Sequence, residues 1–263
     1  MTADRFDGTA ANYARYRPRY SEAVYDALAA AFALDGSGRL LDVGCGAGQI
    51  AIALRNRFEA ATGIDLNAEM IAEATLQEQA ASVDPIEWHA MAAEEIDEAL
   101  GSFRLVTVSD ALHWMDQDAV MARCHARLEP GGGIALLTVG ASIGMVAVDE
   151  PWQQTVKATI EAWLGPRRRA GGSYYDQPQR SDEAILAHAG FVDVTEGSHR
   201  YELDWDCDHL LGYLYSTSYA NPGLLGVDRE AFEADLRERL LRLEPSGRFA
   251  CTLESSWLFG RRR

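Results

Sequence analysis

Five residues early in the chain have types and spacing suited to holding a polar ligand. Asp42, Gly44, Gly46 and Gly48 lie in "LLDVGCGAGQIAIAL", and Asp65 lies in "GIDLN". Glycine takes positive φ and has no Cβ, so alternate glycines let a backbone come very close to a bound group. An acid about twenty residues further on, at the end of a second strand, can accept both hydroxyls of a ribose. The loop reads G-x-G-x-G, with an acid two positions ahead of it, and not G-x-G-x-x-G. That spacing disfavours a pyrophosphate seated on the helix N-terminus, and with it a dinucleotide oxidoreductase. A second group is "SDALHWM", which offers Ser109, His113 and Trp114. A third is "NYARYRPRY", with Tyr13, Tyr16, Arg17 and Tyr20 around Pro18. A guanidinium there would match a carboxylate in a planar, bidentate way.

These residues need a scaffold that brings strand ends together. "RLLDVG", "AATGIDL", "IEWHAM", "RLVTVSD" and "GIALLTV" read as short buried strands. Between them "GQIAIALRNRF", "NAEMIAEATLQEQA" and "DQDAVMARCHARLEP" read as helices, the last ended by Pro130 and its glycines. "SEAVYDALAAAFAL" precedes them, with Ser21 as the expected N-cap. Strands alternating with helices predict an α/β fold, a parallel sheet with helices on both faces. After Gly140 the alternation stops. Helices at "PWQQTVKATIEAWLG", "SDEAILAHAG", "CDHLLGYLYSTSYA" and "DREAFEADLRERLLRLE" surround a strand at "FVDVTEGSHRYEL", and "ACTLESSWLFG" reads as a last strand. The expectation is one domain over 1–263. It would comprise an N-terminal lid and helix (1–35), a ligand-binding core (36–140), a helical cover with one strand (141–248) and a final strand (249–263).

Composition narrows the function. The chain has 263 residues, a net charge of -16 and a single lysine, Lys157. So acidic a surface opposes a general role on nucleic acid, since phosphate contacts need clustered cations. The cysteines Cys45, Cys124, Cys207 and Cys251 form no C-x-x-C pair, and no Cys/His group has zinc spacing, so no metal is expected. The N-terminus lacks a signal-peptide core, and the run "IALLTVGASIGMVAV" is too short to span a bilayer. The reading is a cytoplasmic protein without a membrane or nucleic-acid partner, monomeric or homodimeric.

The motifs together resemble the cofactor site of class I S-adenosylmethionine-dependent methyltransferases. "FDGTAANYARYRPRY", "SDALHWM" and "LEPGGGIALL" are similar to the branch that includes trans-aconitate methyltransferase. The resemblance implies a Rossmann-like, seven-stranded, mostly parallel sheet with a helical lid over its carboxyl edge. It implies S-adenosyl-L-methionine as cofactor. The loop Gly44, Cys45, Gly46 and Gly48 would lie against its methionine part, with Asp42 orienting the amino group directly or through water. Asp65 would hold the ribose and Leu66 would pack on the adenine. Many relatives carry an Asp beside the adenine where this chain has Ala92, so Ala93 and Glu94 are expected to recognise the base instead. Ser109 would border the cofactor, and Tyr13 and Arg17 would close over it, Arg17 on its carboxylate.

The acceptor is left open. A carboxylate needs no base, whereas a phenol or alcohol needs one, and His113 reads either as that base or as a packing residue. Trp114, Tyr16, Tyr20 and Tyr215 are the further candidates for the acceptor pocket. "GPRRRAGG" reads either as a solvated loop or as a lure for an acidic substrate. The expected reaction is O-methylation of a small acid or specialised metabolite. The alternatives are N- or C-methylation of a natural-product intermediate, or a non-methylating protein that retains the cofactor pocket.

Overall fold

The computed structural model describes residues 3–140, 150–171, 173–175 and 180–263. The end of the apolar run (141–148) and part of the "PRRRAGGSYYDQPQR" segment lie outside the described residues. The elements begin with two helices, α1 (Ala10–Tyr16) and α2 (Glu22–Phe32). The alternating part follows as β1 (Arg39–Val43), α3 (Gln49–Leu54), β2 (Ala60–Asp65), α4 (Ala68–Ala81), β3 (Glu87–Ala90), β4 (Phe103–Ser109), α5 (Gln117–Arg127) and β5 (Leu128–Val139). The later part comprises α6 (Pro151–Leu164), a two-stranded ribbon of β6 (Arg169–Ala170) and β7 (Ser173–Tyr174), and α7 (Asp182–His188). It continues with β8 (Val192–Asp206), α8 (Cys207–Tyr215), α9 (Pro222–Leu225), α10 (Arg229–Leu243) and β9 (Arg248–Arg261).

Seven strands form one sheet in the order β3-β2-β1-β4-β5-β9-β8. The first five are parallel, and β9 runs antiparallel to both its neighbours. The strand order reverses between β1 and β4, and that reversal opens a crevice at the carboxyl edge. β-strand side chains alternate between faces, and the core divides accordingly. Leu40, Leu105, Ala135 and Leu137 pack on one face against α2, α3 and the later helices. Leu41, Val43, Val106, Val108 and Leu136 pack on the other against Val120, Met121 and Cys124 of α5 and Ile185 and Leu186 of α7. Both faces are therefore apolar, which explains why the strands read as continuous hydrophobic runs.

Two local expectations change. Ser21 does not cap α2 with its side chain; its N–H donates to Ser255 Oγ at 3.3 Å instead, tying the helix to β9. The helix at "DQDAVMARCHARLEP" stops at Arg127, because Leu128 already pairs with Phe103 of β4, and Pro130 sits inside β5. Asn67 does cap α4, accepting from the N–H groups of Glu69 and Met70. Ser181 likewise caps α7.

The β5–β9 pairing depends on a missing side chain. A Cβ on Gly133 would lie 2.3 Å from the Phe32 ring and 2.5 Å from the carbonyl oxygen of Gly260. One obstacle is backbone and cannot rotate away. Gly133→Ala is expected to lower stability by about 1–3 kcal/mol, the usual cost of overpacking. Urea unfolding checks it: the midpoint should fall while the slope stays unchanged.

Candidate active site

The crevice is built from the ends of β1, β2 and β4. Gly44 follows β1 with φ +66°, and a Cβ there would lie 2.6 Å from that of Ala111 and 2.9 Å from Met115. Only glycine brings the first loop this close to the segment after β4. Asp65 ends β2 and fixes the loop: its Oδ2 accepts from Gly46 N–H at 2.9 Å and its Oδ1 from Asn67 N–H at 2.8 Å. Burial pushes its carboxyl above the ordinary range, and the two N–H bonds oppose that shift.

The cleft holds about 700 Å³, counting space open to solvent. Gly44 and Gly46 form its floor, and Asp65 stands at one side. Leu66, Met70, Met91 and Ala93 make an apolar slot beyond Asp65. Ser109, Asp110 and Trp114 border the other end, with Tyr13, Phe6 and Arg5 above. Phe6 meets both Tyr13 and Trp114 edge-on, each at 6.3 Å.

A smaller recess shares Tyr13, Gly44, Ser109 and Asp110 with the cleft and adds Arg17, Tyr20, Cys45 and Gln49. Arg17 donates to Ser216 O at 3.1 Å and lies over the Tyr13 and Tyr213 rings at 4.9 and 5.4 Å. Its Nε and the Gln49 Nε2 are buried donors without a partner. Tyr20 donates to Asp110 Oδ2 at 2.8 Å and shares a 2.7 Å hydrogen bond with Ser109 Oγ. Asp110 has φ +49°, a conformation that Asp tolerates better than most residues. Val139 N–H also reaches its Oδ2, and burial pushes its carboxyl up.

Five expected site residues lie elsewhere. Asp42 is fully buried beneath α3; its Oδ1 accepts from the Thr107 hydroxyl at 2.8 Å and its Oδ2 from Ala51 N–H at 3.2 Å. It holds the loop from below and does not border the cleft. Gly48 also faces away, since a Cβ there would lie 2.7 Å from Trp88. Tyr16 packs on Gly212 and meets His209 edge-on at 5.4 Å, while Tyr215 donates to Glu233 at 2.8 Å. Both border a separate surface hollow with Arg15 and Arg237. The reason is helical phase: Tyr13 and Arg17, four apart, share the inward face of the α1 segment, and Tyr16 sits at its flank. The Glu94 side chain accepts from Asp116 N–H at 2.9 Å and leaves the apolar slot to Ala93.

His113 lies in a single helical turn, Leu112–Trp114, beside the cleft. Its ring is 4.6 Å from Trp114 and 5.7 Å from Tyr175. Burial first, then the charges of Arg168, Arg5 and Arg17, push its pKa down to about 4, so it is neutral at pH 7. Sequence reasoning passed over Gln49, Asp110 and Met91 as ligand-facing residues. "SDALHWM" contained the signal for Asp110, an acid directly after β4 at the crevice.

The family model described as a methyltransferase domain matches residues 40–132, the stretch that builds this crevice. That part of the chain is thus similar to a methyltransferase domain. A Dictyostelium discoideum protein that bears the name of a methyltransferase is 26% identical over 245 residues, 91% of this chain and 86% of that protein. The ubiquinone biosynthesis O-methyltransferase of Pseudomonas aeruginosa is 33% identical over 103 residues, 38% of this chain; the match spans 44% of that enzyme. The fold also resembles phosphoethanolamine N-methyltransferase 2 of Haemonchus contortus, solved with phosphomonomethylethanolamine and S-adenosylhomocysteine. The TM-score is 0.57 at 17% identity, covering 100% of this chain and 60% of that one.

The buried Asp42 makes a test of the loop's support. Burial pushes its pKa up to about 7, against an ordinary value near 3.8. The native state therefore binds the proton more tightly than the unfolded chain. The stability Asp42 contributes is full below its unfolded pKa and is lost as pH rises towards 7. Asp42→Asn keeps a carbonyl for Ala51 N–H and an amide donor for the Thr107 hydroxyl, without the ionisation. The stability of the wild type relative to this variant should fall by about 1.4 kcal/mol per pH unit through that window and level off above it. Urea midpoints of the two proteins at a series of pH values between 4 and 8 check the slope.

Proposed function

We propose that the chain transfers a methyl group from S-adenosylmethionine to an oxygen atom of a small organic acceptor. The observation that carries this is the pairing of one glycine floor with Asp65. The acid is pre-set by two backbone N–H bonds, and an apolar slot lies beyond it. That arrangement suits a ribose between a flat base and an amino-acid tail. Asp65 would accept the ribose hydroxyls, and Leu66, Met91 and Ala93 would sandwich the adenine. The Gly44 and Gly46 backbone and Ser109 would line the methionine part. The unpartnered Arg17 Nε and Gln49 Nε2 would receive its carboxylate, and Asp110 would face its ammonium.

When bound, the cofactor supplies an electrophilic methyl group on a sulfonium. The protein's part is to place the acceptor oxygen in line with that methyl and to exclude water. Trp114, Phe6 and Tyr13 close the methyl end of the cleft. His113, held neutral beside Trp114, can take a proton from a hydroxyl acceptor. Methylation on oxygen is supported by the likeness of the cofactor-binding half to the O-methyltransferase of ubiquinone biosynthesis. The acidic composition, with a net charge of -16, supports a small molecule over nucleic acid as acceptor. Among the described residues no helix is long and apolar enough to cross a membrane.

Calorimetric titration with S-adenosylmethionine and S-adenosylhomocysteine tests the reading. The wild type should bind both. Asp65→Ala removes two charge-assisted hydrogen bonds that hold the loop, as well as the ribose acceptor, and should weaken binding by about 100-fold or more. A folded wild type that binds neither compound would overturn the proposed function.

A further inference from the structure

Three arginines converge on the methyl end of the cleft without an acid to pair with. The Nε atoms of Arg5, Arg17 and Arg168 are all buried and unpartnered. None of the ion pairs among the described residues involves them. Each lies on an aromatic face instead: Arg5 over Trp114 at 4.6 Å, Arg17 over Tyr13, and Arg168 over Tyr175 at 4.2 Å and Tyr219 at 5.4 Å. All three charges act on His113. The recess with Gln49 accounts for Arg17 through the cofactor's carboxylate. Arg5 and Arg168 are left over.

The run Arg167-Arg168-Arg169 is sorted by the β6–β7 ribbon. Arg167 lies outward over Tyr174, and Arg169 Nε donates to Leu164 O at 3.3 Å. Arg168 alone turns towards His113, while its carbonyl accepts from Tyr175 N–H at 3.0 Å. The ribbon's turn presses on the N-terminal segment, since a Cβ on Gly171 would lie 2.9 Å from the Arg5 backbone. The ribbon thus brings Arg168 and Arg5 to the same place. In a protein of charge -16 the long-range field repels anions, so an anion-binding point needs local, unpaired cations. A buried guanidinium N–H without a partner is costly unless a ligand completes it.

Resting on the methyltransferase reading above, we infer that the acceptor is a flat hydroxy acid, anchored through its carboxylate by Arg168 and Arg5 and methylated on its hydroxyl. The flatness follows from the aromatic end of the cleft, where Trp114 lines the space and His113 and Tyr175 pack around Trp114 at 4.6 and 5.4 Å. The hydroxyl is the reacting group because a carboxylate gripped by guanidinium N–H groups has its lone pairs engaged and is a poor nucleophile. In the transfer, the acceptor oxygen's lone pair forms the new O–CH3 bond as the S–CH3 bond breaks. The electrons of the broken bond stay on sulfur, leaving a neutral thioether. The hydroxyl proton passes to the His113 imidazole and then to water. The bound carboxylate offsets the arginine charges that otherwise oppose protonation of His113, so the base works best when the correct anion is present.

The experiment uses the full chain saturated with S-adenosylhomocysteine. Calorimetry measures binding of 4-hydroxybenzoate and 3,4-dihydroxybenzoate against phenol and catechol. Turnover with S-adenosylmethionine is followed on the same four probes. The acids should bind more tightly than their decarboxylated partners, and any product should be the ether, not the methyl ester. Arg168→Met should reduce acid binding about 30-fold or more, the cost of truncating one side of a buried charge pair. It should leave cofactor affinity unchanged, and Arg168→Lys should restore part of the loss by returning the charge. Equal binding of acid and phenol, a methyl ester product, or loss of cofactor affinity in Arg168→Met would each overturn the inference. Failure of the wild type to bind S-adenosylhomocysteine would instead overturn the underlying function.

Discussion

The Asp65 carboxylate is committed to the backbone before any ligand arrives. One oxygen holds Gly46 N–H and the other Asn67 N–H, so a single side chain joins the first glycine loop to the N-terminus of α4. A carboxylate bonded on both oxygens has a fixed orientation and remaining lone pairs that point outward. The position of the loop, the tilt of α4 and the width of the cleft all follow from it. Asp42 supports the same loop from beneath, through Ala51 N–H and Thr107. Two acids, one exposed to the cleft and one sealed below it, hold a loop whose glycines supply no side-chain contacts of their own.

The half of the fold that rests on local patterns was legible in the sequence. Five apolar runs with helices between them predicted β1 to β5, and the capping residues Asn67 and Ser181 act as expected. The resemblance supplied the seven-strand count, and the structure agrees with it. The glycines and Asp65 meet at the crevice because both follow strand ends, a relation that sequence order alone preserves. What was not legible depends on contacts between distant segments. Ser21 lost its capping role to Ser255, 234 positions away. Tyr16 and Tyr215 were drawn to the acceptor pocket by their aromatic character, yet the phase of their helices turns both away from the cleft. Asp42 matched the motif, but its side chain lies under α3.

The arginine run shows the same limit from the other direction. Composition makes three consecutive arginines look like a solvated loop, and only Arg167 of the three is exposed. The two-residue strands β6 and β7 decide which one turns inward, and strands that short leave no period to read. Charge bookkeeping over the whole chain is equally silent. A net charge of -16 coexists with part-buried guanidiniums stacked on aromatic rings around one end of the cleft. Aromatic faces stabilise a cation without cancelling it, so the charge stays available to a ligand.

β9 lies between β5 and β8 although it comes after both in the chain. As the polypeptide leaves the ribosome, the five parallel strands and the glycine loop emerge first. The later helices and β8 follow, with no strand yet to join them to β5. During that interval β5 offers a bare hydrogen-bonding edge, and β8 has nothing to pair with. Insertion of a single strand then closes both gaps at once and brings Ser255 to the start of α2. A chain synthesised from its N-terminus therefore completes the strands that carry the crevice before the strand that joins β8 to β5, and in that interval the bare edge of β5 is the part open to wrong pairing.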